Sequence, residues 1–268
     1  MKENSIIRLP PLIPPDPDDL VCWGNDSKSN YFVSKAIISA DPILNANDCI
    51  VLIIYEDQNQ LAFIRLNKDP TWTYVYQRWK LIEEVVHAED RFYAVNNYNY
   101  LIGFDITSQS NSKAKLVATR RVPDYPTKTY LVNPNEKELW MVQRYIDMED
   151  DDTHETFEFT IFEMDYEKGK WIAKKTLGDV ALFLGDNSSI SVLASKFPGC
   201  QPNCIYFTND DAHVRTVVRP HDFGVYNITS GKFHLGVYNV TSQSGTCIRK
   251  LIKKSKRPPI WVVPTIQS

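Results

Sequence analysis

The pair Cys200 and Cys204, spaced C-x3-C and followed by His213 and His221, is the part of the chain that comes nearest to metal chemistry. A structural zinc needs four ligands in a tetrahedron, usually supplied as two closely spaced pairs. No second cysteine or histidine pair stands at that spacing, so both thiols are read as reduced, with Cys204 a strand residue. The five histidines, His87, His154, His213, His221 and His234, each lack a local Ser, Cys or Asp arrangement for nucleophilic catalysis. The nearest approach to a phosphate loop, Gly185-Asp186-Asn187-Ser188-Ser189, has neither the glycine spacing nor the lysine of one. It reads as a hairpin turn in which Asp and Asn side chains cap their own backbone. The expectation is a non-enzymatic chain with no catalytic, cofactor-binding or metal residue, and no cofactor.

Charge is concentrated in two places. The acidic run DMEDDD, residues 147–152, lacks the alternating ligands, central Gly and final Glu of a calcium loop, and reads as a solvated hairpin loop. Arg249, Lys250, Lys253, Lys254, Lys256 and Arg257 form a basic cluster near the end. Nuclear import, contact with an anionic surface and protection of a strand edge all fit it equally. Tyr74, Tyr76, Tyr93, Tyr98 and Tyr100 are candidate protein-contact anchors, since aromatic side chains dominate binding hot spots, although aromatics in strands also build cores.

The elements that must carry these residues read as β-strands. Residues 1–29, rich in Pro, Asp, Asn and Ser, form an extended lead-in, and residues 30–268 are taken as one β domain. Four β-branched and aromatic runs, YFVSKAIIS, CIVLIIY, LAFIRL and TWTYVY, are cut by turn formers such as Asp41-Pro42 and Lys68-Asp69-Pro70. A second group holds IEEVVHA, RFYAVN, YLIGFDI and KLVATRRV, and a third TYLVN, ELWMVQRY, TFEFTIFEMD and KWIAKKTL. The fourth runs through ALFLG, SISVLAS, CIYFT and FGVYN, with FHLGVYNV following. Groups of four short strands are the pattern of β-propeller blades, and a β-sandwich is the competing all-β fold. Trp72, Trp171 and Phe233 each open the last strand of a group after a turn, which supports repetition.

Composition excludes several classes. Of 268 residues, 43% are hydrophobic and 24% charged, both ordinary for a globular domain, and the net charge of -3 gives no general attraction to nucleic acid. The longest apolar run, residues 49–55, is far shorter than the roughly 20 residues that span a bilayer. The start shows neither the apolar core nor the cleavage site of a secretory signal, so an intracellular home in cytoplasm or nucleus is expected, without membrane contact. Five cysteines, Cys22, Cys49, Cys200, Cys204 and Cys247, are an odd and irregular set that suits reduced thiols. The sequons at Asn187, Asn227 and Asn239 then read as turn and strand-end residues.

Several segments, taken in order, resemble the KIB-type β-propeller domain of plant F-box proteins. They are LPPLI (9–13), ISADP (38–42), LAF (61–63), FYAV (92–95), YLV (130–132), FEMD (162–165), GKW (169–171), residues 177–208, and PPIWVVPT (258–265). The resemblance implies a propeller scaffold without an active site. In intact relatives it would select a substrate while the F-box docks the Skp adaptor of a ubiquitin ligase. The chain is expected to lack the F-box, to begin inside the propeller with about four blades, and so to bind a protein partner without contacting the Skp adaptor. A truncated or inactive product, or a propeller enzyme with a channel site, is the alternative. The segment IWVV, residues 260–263, is the expected closing strand.

Overall fold

A computed structural model describes residues 7–12, 33–55, 59–75, 81–106, 113–119, 128–135, 137–150, 153–185, 189–208 and 222–234. The described elements are seventeen strands and one 3-10 turn, Ala194–Lys196. They form four sheets that are the blades of a four-bladed β-propeller, the expected architecture.

Blade 1 is the antiparallel meander of β1 (Val33–Ile38), β2 (Ile50–Tyr55), β3 (Gln60–Arg65) and β4 (Thr73–Tyr74). Blade 2 repeats it with β5 (Ile82–Ala88), β6 (Arg91–Asn96), β7 (Tyr100–Asp105) and β8 (Lys113–Thr119). Blade 3 comprises β9 (Lys128–Asn135), β10 (Glu138–Asp150), β11 (Thr153–Asp165) and β12 (Lys170–Ala173). These three groups are the ones the sequence delimits, because stretches rich in turn formers separate their strands. Between β5 and β6, for example, Glu89 and Asp90 both take positive φ, 49° and 57°, the signature of a twist-matched two-residue hairpin.

The fourth blade differs in order. Its strands are β13 (Val180–Leu184), β14 (Ser189–Leu193), β15 (Cys204–Phe207), β16 (Gly224–Asn227) and β17 (Lys232–His234), arranged β14-β13-β15-β16-β17. β14 folds back to become the innermost strand, and β13 pairs in parallel with β15, Ala181 opposite Cys204. A parallel pair needs a crossover. Residues 194–203 supply it through the 3-10 turn and a Pro198-Gly199 corner, with Gly199 at φ 87°.

Blades 1, 2 and 3 are covered on both faces, which is why their strands are apolar runs without simple alternation. β2 is buried along its whole length. Its period of two still operates, because it sends Leu52 and Ile54 into the core between blades 1 and 2, and Val51, Ile53 and Tyr55 to the opposite face. In β10, Trp140 and Val142 join the core with blade 4 while Leu139 and Met141 join the one with blade 2. Truncating a fully buried leucine such as Leu52 to Ala costs about 2–5 kcal/mol.

Trp171 and Phe233 pack toward the preceding blade. Trp72 does the same on the first face of blade 1, and there its neighbour is the described part of the lead-in: the indole Nε1 donates to Pro10 O at 2.9 Å. The expected closing strand, residues 260–263, lies outside the described residues.

Candidate interaction surface

Among the described residues, no group of three His, Cys, Asp or Glu side chains is placed to hold a metal ion. Cys204 is wholly buried in β15, its thiol 3.7 Å from Gln201 Oε1, while Cys200 is half-buried, and burial pushes both thiols up. Desolvation therefore keeps them protonated and unreactive. His213 and His221 lie outside the described residues, as does the basic cluster of residues 249–257. His87 packs on Phe92 with ring centroids 4.8 Å apart. Gly185 and Ser189 flank the β13–β14 connection, and Leu184 pairs with Ser189, so this stretch joins two antiparallel strands. The acidic run, expected in a loop, has its first four residues inside β10, which continues to Asp150 and pairs there with Thr153 across the strand tip; residues 151–152 lie outside the described residues.

Charge converges where the inner strands meet. Lys35 of β1 forms an ion pair with Glu84 Oε1 of β5, both almost wholly buried. The other oxygen, Oε2, accepts from Ser189 Oγ of β14 at 2.8 Å. Beside it Glu83 Oε2 accepts from the Thr129 amide of β9 at 2.7 Å, and burial raises the Glu83 carboxyl against the opposing pull of Lys128. The Lys35–Glu84–Ser189 cluster thus joins blades 1, 2 and 4 without presenting a free nucleophile, and the Glu83–Thr129 bond beside it adds blade 3. A second buried centre ties blade 3 to blade 4. The Arg144 guanidinium reaches Tyr130 Oη at 3.1 Å, Thr208 O at 2.8 Å and Asp222 Oδ2 at 3.0 Å, and lies 4.9 Å from the Phe207 ring centroid.

Three of the exposed aromatic groups, Tyr98, Tyr100 and Phe157, are at one end of the blades, and Tyr166 is at the other, in the β11–β12 turn. In the β6–β7 turn, Asn96 Oδ1 accepts from the amides of Tyr98 and Tyr100 at 3.1 and 3.0 Å, and this cap sets the tyrosines side by side, ring centroids 6.1 Å apart. Tyr98 is 52% and Tyr100 38% exposed. Between them Asn99 is buried and its Oδ1 accepts from Gln143 Nε2 of β10 at 2.9 Å. Gln143 Oε1 in turn accepts from Tyr145 Oη at 3.3 Å, which links the turn to blade 3.

There β10 and β11 run past their neighbours. β9 pairs with β10 only as far as Arg144, and β12 with β11 from Asp165 back to Phe162. The hairpin beyond is a projecting arm. A register shift opposes Tyr145 to Glu158 and Ile146 to Thr156, leaving Phe157 as the extra residue of a bulge. Phe157 is 56% exposed, with its ring 6.1 Å from that of Tyr145. Of the five tyrosines singled out, Tyr98 and Tyr100 are on this surface. Tyr93 is core, Tyr74 packs edge-on against Tyr55 and Tyr76 lies outside the described residues. Tyr145 and Phe157 were not singled out, since a bulge leaves no mark in composition.

Four blades without a described helix longer than one 3-10 turn define an all-β propeller scaffold. A model of the KIB1-4 beta-propeller matches residues 3–227, and the chain belongs to that family. Similar curated proteins come from Arabidopsis thaliana. "Putative F-box protein At5g55150" is 27% identical over 214 residues, 78% of this chain and 58% of that protein. "F-box protein SKIP23" is 24% identical over 272 residues, 89% of this chain and 62% of that protein. The chain therefore spans less than two thirds of either relative's length. No described helix is long and apolar enough to cross a membrane.

Proposed function

We propose that this chain is a non-enzymatic protein-interaction module, with residues 30–268 as its propeller and residues 1–29 as a lead-in. The observation that carries the reading is the aromatic end formed by Tyr98, Tyr100, Tyr145 and Phe157, fixed from beneath by the Asn99–Gln143 pair. Rigid aromatic groups on an anchored base suit a contact with a protein, because they bury large area at little entropic cost. The F-box proteins among its relatives support a role in choosing a partner for ubiquitin ligation, with this chain binding such a partner and not the Skp adaptor. Nucleic acid is disfavoured by the net charge of -3. A non-catalytic role is favoured because Lys35, Glu84 and Ser189, the groups that converge from three blades, are already paired with one another.

The test is immunoprecipitation from plant tissue followed by reconstitution with the purified partner. Tyr98→Ala and Phe157→Ala are each expected to weaken binding by tenfold or more, about 1.4 kcal/mol or above, with the unfolding midpoint unchanged. Unchanged affinity in both variants, or direct capture of the Skp adaptor by the purified chain, would sink the proposal.

A further inference from the structure

The β6–β7 turn carries hydrogen-bonding groups that the fold leaves unused. Asn99, only 1% exposed, stands between the exposed Tyr98 and Tyr100, and its Oδ1 accepts from Thr129 Oγ1 at 3.3 Å as well as from Gln143 Nε2. Its Nδ2 has no partner among the described residues, and in the same turn Asn97 Oδ1 is a buried acceptor without one. Buried polar groups are nearly always paired, because an amide taken from water without a replacement bond costs free energy. One spare donor and one spare acceptor complement a peptide unit, which offers a C=O and an N–H. The turn is joined to the arm through Gln143, whose Oε1 accepts from Tyr145 Oη, and the Tyr145 ring stands beside Phe157. Residues 147–158 of the arm include seven Asp or Glu and no Lys or Arg. The register sets Asp147 opposite Glu155, and Tyr145 opposite Glu158, which is exposed next to Phe157. Like charges placed opposite one another weaken a strand pair, so this pattern does not serve the hairpin itself.

We propose that the aromatic end binds an extended, Lys- or Arg-rich segment of a partner protein, its main chain taken by the Asn97–Asn99 turn and its cationic side chains by the arm. The proposal rests on the reading of this end as a protein contact and names the chemistry of the partner. A cation gains twice here. It is attracted by the carboxylates of the arm, and it finds aromatic faces, which carry partial negative charge, at Tyr145 and Phe157. A neutral segment would leave the charge of the arm uncompensated, and an acidic one would be repelled. The unpaired Asn99 Nδ2 calls for a carbonyl and the unpaired Asn97 Oδ1 for an N–H, groups that the main chain of any extended segment presents whatever its side chains. Selectivity for the class therefore comes from the arm, and the turn adds affinity for backbone.

The test uses the full chain and three labelled peptides of one design, acetyl-Lys-Leu-Lys-Ala-Lys-Leu-Lys-amide and its counterparts with Gln or Glu in place of every Lys. The Lys peptide is expected to bind saturably and about tenfold or more tightly than the Gln peptide, with an affinity that falls as salt is raised, and the Glu peptide not at all. Glu155→Lys/Glu158→Lys should reverse the order of the Lys and Glu peptides. The first substitution sets a cation opposite Asp147, so the thermal midpoint should hold or rise and the loss of Lys-peptide binding is not unfolding. The side-chain amide resonances of Asn99 should shift to saturation as the Lys peptide is added. Failure of the Lys peptide to bind the folded chain, or an Asn99 amide that it leaves unmoved, overturns the proposal. Equal binding of the Gln peptide, lost in Phe157→Ala, overturns the basic class while the aromatic contact stands; indifference of all binding to Tyr98→Ala and Phe157→Ala removes the contact itself. Tighter Lys-peptide binding after Arg249, Lys250, Lys253 and Lys254 are changed to Gln would name the chain's own basic cluster as the occupant, and so overturn a partner.

Discussion

Ser189 and Glu84 stand 105 residues apart in sequence, and their side chains meet at 2.8 Å, Ser189 Oγ donating to Glu84 Oε2. Because Glu84 Oε1 is taken by Lys35 and by the Val85 amide, a single carboxylate of blade 2 joins the inner strands of blades 1 and 4. Sheets that pack through apolar faces can slide, whereas a buried charge with fixed donors holds one register. The cluster is accordingly a pin at the centre of the fold.

Glu84→Gln is expected to destabilise the protein by about 3–5 kcal/mol, because it strands the Lys35 ammonium in a buried place without a counter-charge. Lys35→Met/Glu84→Leu should recover most of that loss, since an apolar pair of similar volume removes both desolvation costs. Urea denaturation at constant m-value measures both. A single variant within 1 kcal/mol of wild type would show that blade packing alone sets the register.

Gly169→Ala and Gly231→Ala should each cost about 1–2 kcal/mol, because both glycines hold left-handed backbone, φ 60° and 61°, in the turns before Trp171 and Phe233. Space is not the obstacle at Gly169: an added Cβ would meet only Val117 O, at 3.7 Å. Gly169→Asn, which tolerates that conformation better, should recover part of the loss. Thermal midpoints of the three variants decide it, and Asn no better than Ala would mean that the turn relaxes.

Much of the scaffold was legible in the sequence, because polar turns separate the strand groups and each turn is local. The order of blade 4 was not. SISVL and CIYF are equally good neighbours for ALFLG by pattern, and only the crossover decides that β14 goes inside and β15 pairs in parallel. Charged residues within apolar strands, Lys35 in VSKAII, Glu84 in IEEVVHA and Arg144 in ELWMVQRY, were a visible signal for buried polar centres. Their partners sit on other blades, where sequence spacing says nothing. Tyr93 and Tyr98 looked alike for a related reason, since strands covered on both faces lose the alternation that separates core from surface.

Asp222→Asn is expected to loosen blade 4 from the base of the projecting arm. Asp222 Oδ2 accepts from Arg144 Nη2 at 3.0 Å and from the Thr156 amide at 2.8 Å, and Arg144 is wholly buried. Loss of the negative charge removes the carboxylate paired with the buried guanidinium, at a cost of about 3 kcal/mol or more. Amide hydrogen exchange should quicken at Thr156 and in β15 before it does in β2. Uniform acceleration through all four blades would mean that the protein opens as one unit.

Acid should weaken the fold through His87, and the direction follows from its surroundings. Burial holds the imidazole below its ordinary value of 6.5, with the attraction of Asp90 a smaller opposing effect. The unfolded chain therefore takes up this proton at a higher pH than the folded one does, and protons favour unfolding. The contribution of a neutral His87 is complete above pH 6.5, is lost as pH falls through that value toward the lower folded pKa, and changes no further below it. The ring also packs on Phe92, so His87→Phe keeps an aromatic contact and removes the titration. Denaturation midpoints measured from pH 8 to pH 5 should decline for wild type and decline less for His87→Phe. Parallel curves for the two proteins would assign the acid sensitivity to other groups.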